Sequence, residues 1–224
     1  MARELKPRPV IGRNKIAVPL PGLGEPETLA RPSSVRRQHR AELVNATRYA
    51  TAAEALQDMG HDVDIEGMSK GRYSLLDLIK ATLEHTGPAH LHISTWTAAL
   101  AEVGELAEMA KRGKLLSIRW LADISLGGRD RGVMQAILMH FGPDSVRVTK
   151  NHAKFCVFVN GEWSLLLRSS MNLNMNPRNE NYQLLDDPEL SGWYLSIMDA
   201  IFDKQKFDID NAAKHRREFQ SGAI

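Results

Sequence analysis

Hydrophobic positions between Tyr73 and Gln205 follow a helical period and a strand-like period in turn. The helical period is found in YSLLDLIKATLEHT, TAALAEVGELAEMAKRG, VMQAILMHFG and PELSGWYLSIMDAIFDKQ, and the apolar runs of strands in AHLHISTW, LLSIRWLADIS and SVRVTK. Two more strands are expected between Asn151 and Asn172, where a turn at Asn160-Gly161 favours a hairpin. Alternation of strands and helices predicts an α/β fold with a mixed, largely parallel central sheet flanked by helices.

The first 68 residues follow a different pattern. Residues 1–33 carry several glycines and all six of the prolines that lie between Lys6 and Ser34, without periodicity, which indicates an extended arm. Residues 34–68 form a predicted helical segment, in one helix or two, because Ser34 is a suitable N-cap and small and apolar residues recur at helical spacing. We therefore expect four parts: arm 1–33, helical segment 34–68, a regular domain over 69–205 and a charged tail over 206–224, the tail as an exposed helix.

Charge is informative only in its distribution. The 224 residues include 29 Lys and Arg against 27 Asp and Glu, so the net charge of +2 indicates no particular partner. Residues 1–40, however, hold nine basic and three acidic side chains. This segment is either a solvated basic arm or a contact for a polyanion such as nucleic acid, and the sequence leaves both open.

Cysteine content and hydropathy limit where the protein is expected to work. A single cysteine, Cys156, excludes an intramolecular disulfide framework and a metal cluster of several cysteines. No apolar run approaches the roughly 20 residues of a membrane span, and the start of the chain lacks the apolar core of a signal peptide. We expect a cytoplasmic protein without a membrane partner.

Polar residues stand at the ends of the two strands of the predicted hairpin. His152 and Lys154 are two residues apart, so they project from one side of a strand, and Ser170 and Asn172 do likewise on the next strand. Antiparallel pairing of these strands would place an imidazole, an ammonium, a hydroxyl and an amide side by side. That set suits a tetrahedral anion. Glu180 is expected to return and hold the second nitrogen of the imidazole.

Other candidate residues lie in nearby loops. Arg129 and Arg131 belong to LGGRDRG, a loop predicted at the carboxyl end of a strand, where such sheets bind ligands; they are candidate phosphate contacts. This loop is expected to be a flexible connection, since it lacks the Lys-Ser/Thr ending of a P-loop. Asn174, Asn176 and Arg178 either shape the same pocket or form the turn that Pro177 ends.

A tryptophan and a group of histidines near the first strand are further candidates for a functional role. Trp96 is predicted to be a core residue, although a base-stacking platform is the alternative. His85, His90 and His92 cluster around the first strand, but no cysteine or acidic spacing joins them, so we assign no metal site. No cofactor is expected.

Taken in order, these motifs resemble those of the phospholipase D superfamily. Its signature is H-x-K-x4-D, then G-S-x-N, and in its small nucleases a later S-E-N. Here His152-Ala153-Lys154 is followed by four residues and Val159, then by Ser169-Ser170-Met171-Asn172 and Asn179-Glu180-Asn181. The similarity covers Tyr73 to about Gln205. The chain departs from the signature at Ser169, where the family has Gly, and at Val159, where it has Asp.

The resemblance implies a mechanism without metal. His152 would form a phosphohistidine with the scissile phosphodiester, while Lys154, Ser170 and Asn172 stabilise its oxygens. In the family a second motif supplies the histidine that protonates the leaving group, and this chain has only one H-x-K. The resemblance therefore implies a homodimer with one site shared between two copies.

Two functions follow as hypotheses. The first is a hydrolase: a metal-independent nuclease or phosphodiesterase that acts on nucleic acid, which the basic arm favours over lipid. The second is a catalytically inactive phospholipase D-like module, with Val159 as the mark of decay, which binds DNA or assembles with a protein partner through the N-terminal arm.

Overall fold

The computed structural model describes residues 49–61 and 63–205. The predicted arm over 1–33, residues 34–48 of the predicted helical segment and the tail over 206–224 lie outside these residues. No helix within the described residues has the combined length and apolarity that crossing a bilayer requires.

Seven strands form one sheet in the order β1-β7-β6-β5-β2-β3-β4. The strands are β1 (Asp64–Met68), β2 (Ala89–Thr95), β3 (Leu115–Asp123), β4 (Val146–Thr149), β5 (Phe155–Val159), β6 (Ser164–Ser169) and β7 (Asn181–Asp186). The helices are α1 (Ala52–Ala55), α2 (Leu75–Thr86), α3 (Leu100–Lys111), α4 (Leu126–Arg129), α5 (Arg131–Phe141) and α6 (Pro188–Lys204), with a 3₁₀ turn at Pro143–Ser145 before β4.

The predicted α/β fold with a mixed sheet flanked by helices is confirmed, but parallel pairs are fewer than expected. Strands β2, β3 and β4 are parallel, and the other four of the six pairings are antiparallel. Strand order explains the difference: β2-α3-β3 and β3-α5-β4 return the chain to a neighbouring parallel strand, whereas α2 joins β1 to β2, which run parallel but are separated by β7, β6 and β5. The β5-β6 hairpin turns at Asn160, whose side-chain oxygen accepts hydrogen bonds from two backbone N–H groups.

Three elements differ from the sequence prediction. Strand β1 lies within the segment predicted to be helical, and the described part of that segment is helical only at Ala52–Ala55. Strand β7 was not predicted either. The sequences DIEGM and NYQLLD alternate weakly between apolar and polar residues; β1 is an edge strand paired with β7 alone, and β7 lies between β1 and β6. The glycine-rich loop after β3 is not a flexible connection: it forms the helical turn α4, which buries Leu126.

Helices cover both faces of the sheet. Helices α2, α3 and α5 bury one face together with Cys156 and Phe158 of β5. The alternate residues Phe155 and Val157 face the other side and pack against α6. This alternation of fully apolar positions is what a strand buried on both faces requires. Helix α2 begins at a capping box, in which the Ser74 hydroxyl accepts from the Asp77 backbone and the Asp77 carboxylate accepts from the Ser74 backbone.

Strand directions bring the polar ends of the chain to one edge of the sheet. Strands β2 and β3 finish at this edge, β5 starts there because it is antiparallel to β2, and β6 finishes there because it is antiparallel to β5. Strand β7 starts and β1 finishes at the same edge. The segments that follow or precede all of these strands are therefore neighbours, and they contain the candidate site residues.

The turn after β1 packs against the loop that precedes β7. The Ser69 backbone N–H donates to the Glu180 backbone oxygen at 2.8 Å. Gly71 has a φ of +72°, and its α-carbon faces the Pro177 backbone so closely that a Cβ would clash with it. The turn can approach this loop only because residue 71 is glycine.

Replacing Gly71 by Ala should therefore destabilise the fold. Both the positive φ and the clash with Pro177 oppose a side chain, so we expect the free energy of unfolding to fall by about 1–3 kcal/mol, measured by urea denaturation. Gly161→Ala is the matched control, since a Cβ there meets nothing within 4 Å and should change stability by less than about 0.5 kcal/mol. Equal effects of the two changes would contradict this explanation.

Candidate active site

A buried asparagine fixes the segment that carries the histidine. The Asn151 amide nitrogen donates to Ser94 Oγ at 2.9 Å and to the Leu121 backbone oxygen at 3.1 Å, so it joins β2 and β3. Its backbone N–H donates to Asp123 Oδ2 at 2.9 Å. The next residue, His152, is exposed. The chain thus presents an imidazole to solvent from a well-anchored backbone.

Lys154 lies against His152, on the same side of the extended segment that leads into β5. The Lys154 Nζ atom is 3.1 Å from His152 Nδ1 and donates to the His152 backbone oxygen at 2.8 Å. Partial burial lowers the pKa of the Lys154 ammonium below its ordinary value, and the nearby Glu180 carboxylate opposes this shift. The two side chains form one imidazole–ammonium pair.

Glu180 binds the serine instead of the histidine. Its Oε2 atom accepts a short hydrogen bond from the Ser170 hydroxyl, and its Oε1 atom accepts one from Asn176 Nδ2 at 3.1 Å. The Asn181 backbone N–H donates to Ser170 Oγ at 3.0 Å. The expected contact between Glu180 and the second imidazole nitrogen is not formed; the Glu180 carboxylate oxygens accept from Ser170 and Asn176 instead.

Two asparagines lie between Ser170 and Glu180 with buried side-chain oxygens. Asn172 Oδ1 and Asn174 Oδ1 have no hydrogen-bond partner among residues 49–61 and 63–205. The Asn172 amide nitrogen also bonds to none of these residues, so it is free to donate to a ligand. The Asn174 backbone N–H donates to the Asn172 backbone oxygen at 2.8 Å, which makes Asn174 part of the turn.

The structure separates the arginine candidates. Arg129 reaches the Trp96 ring, with the guanidinium carbon 3.8 Å from the ring centroid, and the Trp96 ring lies 5.4 Å from the His152 ring. Arg131 and Arg178 are exposed, and neither side chain contacts the other candidates in the described part of the chain.

Trp96 is a site residue that the sequence prediction missed. It is half-buried beside His152, not a core residue. Its position directly after β2 was the available signal, since this places it at the same sheet edge as the ends of β3 and β6.

Val159 lies at the other end of β5 from the candidate site. It is seven residues beyond His152, roughly 20 Å at about 3.3 Å per residue of extended chain, and packs with the apolar cluster under α6. The departure from the family signature at Val159 therefore changes none of the contacts described above.

The three histidines near β2 do not converge. His85 contacts Trp163, His90 contacts Ser117 Oγ at 2.8 Å, and His92 accepts a hydrogen bond from Arg119 Nε at 2.8 Å. Burial, with Arg119 beside the ring, lowers the pKa of His92 to about 4, so it is neutral at ordinary pH. In the part of the chain that the structure describes, His, Cys, Asp and Glu side chains form no group that could hold a metal ion.

The fold and the site together define a class of protein: an α/β protein with an exposed imidazole and an ammonium at one sheet edge. An exposed imidazole, an adjacent ammonium and a free amide donor can attack and neutralise a tetrahedral anion. The imidazole, the ammonium and the amide lie outside the two apolar clusters, so the packing of the sheet does not require them.

Three solved structures are similar to parts of this chain at low sequence identity. A phospholipase D family member, Nuc, from Salmonella typhimurium is 19% identical with a TM-score of 0.45, over 63% of this chain and 95% of that one. NucT from Helicobacter pylori is 13% identical with a TM-score of 0.48, over 63% and 98%. Polyphosphate kinase from Porphyromonas gingivalis is 11% identical with a TM-score of 0.49, over 68% of this chain and 29% of that one. No family model and no curated protein matches the sequence. At these identities the likenesses concern the fold alone.

The carboxylate of Glu180 should control the charge of Lys154. In Glu180→Gln the favourable charge is lost while the burial of Lys154 remains, so the pKa of the ammonium should fall further below its ordinary value. NMR titration of the Lys154 side chain measures this directly. Glu162→Gln, an exposed residue in the β5-β6 turn, is the control and should leave the titration unchanged. A Lys154 pKa that rises in Glu180→Gln would contradict the electrostatic assignment.

Proposed function

We propose that this protein is a metal-independent phosphodiesterase that cleaves nucleic acid, with His152 as the nucleophile. The observation that supports this most is the exposed His152 imidazole with the Lys154 ammonium 3.1 Å from its Nδ1 atom. An imidazole attacks phosphorus only if the negative charge of the diester is offset, and the ammonium supplies that positive charge without a metal.

The reaction has two steps. A His152 ring nitrogen attacks phosphorus, a P–N bond forms, the P–O bond to the leaving group breaks, and the leaving oxygen takes a proton from a general acid. Water then attacks the phosphohistidine, the P–N bond breaks, the former acid accepts the proton of the water, and a phosphomonoester leaves. Lys154 and the free Asn172 amide would stabilise the phosphoryl oxygens in both steps.

Ser170 is placed differently from these two donors. Its hydroxyl hydrogen is bound by Glu180, and its oxygen accepts the Asn181 N–H. In this arrangement Ser170 and Glu180 hold the end of β6 against the start of β7, and Ser170 donates to phosphate only if it releases Glu180.

The general acid must come from elsewhere. Among the described residues the other histidines, His61, His85, His90, His92 and His140, contact partners away from His152. We propose that a second copy of the chain supplies its own His152, so that two copies share one site about a two-fold axis.

Two features favour nucleic acid as the substrate. The basic residues of segment 1–40 would contact phosphates outside the site. The phosphodiester bonds of nucleic acid can also reach an exposed sheet edge directly, whereas a lipid would first have to leave its bilayer. The rival function, an inactive module that binds DNA or a protein partner, is weakened by the position of Val159, which lies far from the site.

Removal of the imidazole should abolish cleavage. With single-stranded DNA in excess EDTA, His152→Asn should lose at least about 10³-fold in rate, because no other described side chain can form the covalent intermediate. His140→Ala, an exposed histidine on α5, is the control and should cleave at the wild-type rate. Quenching in an alkaline denaturant should trap a phosphoryl group that is stable to base and released by acid on the wild-type protein, and none on His152→Asn.

The outcomes separate the two functions. Absence of cleavage by the wild type and by His152→Asn, together with salt-sensitive retention of DNA by both, would establish the binding module instead. Cleavage that EDTA abolishes would contradict the metal-independent mechanism.

A shared site makes a specific prediction for mixed dimers. If two His152 side chains form one site, a fully exchanged equal mixture of wild type and His152→Asn should keep only about a quarter of the wild-type activity. Independent sites would keep about half. An equal mixture of wild type and His140→Ala should keep full activity. Sedimentation should show a dimer at the assay concentration. Activity that is proportional to the fraction of wild-type protein in the mixture would contradict the shared-site proposal.

A further inference from the structure

The pair formed by Trp96 and Arg129 is not used by the proposed chemistry. Arg129 Nη2 donates to the Trp96 backbone oxygen at 2.8 Å, while the guanidinium carbon sits 3.8 Å from the centroid of the Trp96 ring. Arginine stacked on tryptophan by a cation–π contact is held in one orientation, with less rotamer entropy left to lose when it binds a ligand.

The remaining donors of this guanidinium are available. Arg129 is exposed, and among residues 49–61 and 63–205 no carboxylate pairs with it. The adjacent Asp130 carboxylate is bound to the start of α5, where it accepts the Val133 N–H at 3.1 Å. A fixed guanidinium fork with free N–H groups is suited to bind two oxygens of one phosphate.

The position of this fork relative to His152 indicates which phosphate it would bind. The same Trp96 ring lies 3.8 Å from the guanidinium carbon and 5.4 Å from the His152 ring, so the two groups are no more than about 9 Å apart. Nucleic acid has one phosphate per about 3.4 Å of axial rise on each strand. A phosphate held by His152 and Lys154 would therefore have a near neighbour within reach of Arg129.

We propose that Arg129, oriented by Trp96, binds a phosphate adjacent to the scissile one, and so makes the site selective for a phosphodiester polymer over an isolated diester. This subsite rests on the proposed function of His152. It requires no contact with a base, so it selects a repeated phosphate backbone and not a sequence.

Two substrates distinguish this subsite from the chemistry. Bis(p-nitrophenyl) phosphate has no neighbouring phosphate, whereas a single-stranded oligonucleotide has one at every step. Arg129→Ala should raise the KM for the oligonucleotide about tenfold with kcat within about twofold, and leave kcat/KM for the small diester unchanged. The KM of Arg129→Lys for the oligonucleotide should lie between those of the wild type and Arg129→Ala, because lysine keeps the charge but lacks the planar fork.

Arg112→Ala is the matched charge control, since Arg112 is exposed at the far end of α3 and should affect neither substrate. An equal loss on both substrates in Arg129→Ala would overturn the subsite and make Arg129 a positioning residue for Trp96 and His152. A loss in Arg112→Ala as large as that in Arg129→Ala would also overturn it, because surface charge alone would then explain the effect.

A binding measurement tests the subsite even if the protein proves inactive. In the full chain carrying His152→Asn, we expect Arg129→Ala to weaken oligonucleotide binding about tenfold and to reduce the slope of log K against log salt by about 0.7. Arg112→Ala should change neither. If the wild type does not cleave but Arg129→Ala weakens binding in this way, the proposed reaction is rejected and the subsite is kept. If Arg129→Ala changes neither the affinity nor the salt slope, or if the protein does not bind the oligonucleotide at all, the subsite is rejected.

Discussion

The candidate site depends on the hydrogen bonds of one buried side chain, Asn151. Its amide group joins the ends of β2 and β3 and accepts the Ala153 N–H at 3.1 Å on the other side. An unsatisfied buried polar group costs about 1–3 kcal/mol. Moving any one of these segments would break a buried hydrogen bond of Asn151 at about that cost, so the side chain keeps the segments together. His152 follows directly. The exposed His152 side chain thus stands on a backbone that buried hydrogen bonds anchor, and its proposed role as nucleophile would require such anchoring to meet phosphorus at a constant angle.

The electrostatics of the site are a balance around Lys154. Burial disfavours the ammonium and the Glu180 carboxylate favours it. Glu180 does this without forming an ion pair with Lys154, because its oxygens are held by Ser170 and Asn176. A carboxylate that paired directly with the ammonium would compete with a phosphate for it. Held back by two hydrogen bonds, Glu180 supports the positive charge and leaves it free to bind an anion.

The sequence predicted most of the fold and the set of polar side chains at one sheet edge, for a physical reason. Strongly periodic apolar segments such as α2 and β3 carry enough burial to specify themselves. Strands β1 and β7 were missed because their pairing depends on distant partners, not on their own alternation. Trp96 and the bond partners of Glu180 were missed for a related reason. Periodicity places a residue on a face or at an edge, but it does not determine which donor a side chain selects there.

The proposed nucleophile and the proposed phosphate subsite lie on parts of the chain with different structural support. His152 and Lys154 continue into β5, a central strand with neighbours on both sides. Arg129 stands at the end of the four-residue helix α4, exposed, and is oriented by the Trp96 ring and backbone. Within residues 49–61 and 63–205 the two parts meet at Trp96, which contacts both His152 and Arg129. If the proposed roles hold, a substitution at Arg129 would change which phosphodiesters are bound without moving His152, which a cation built into β5 would not allow.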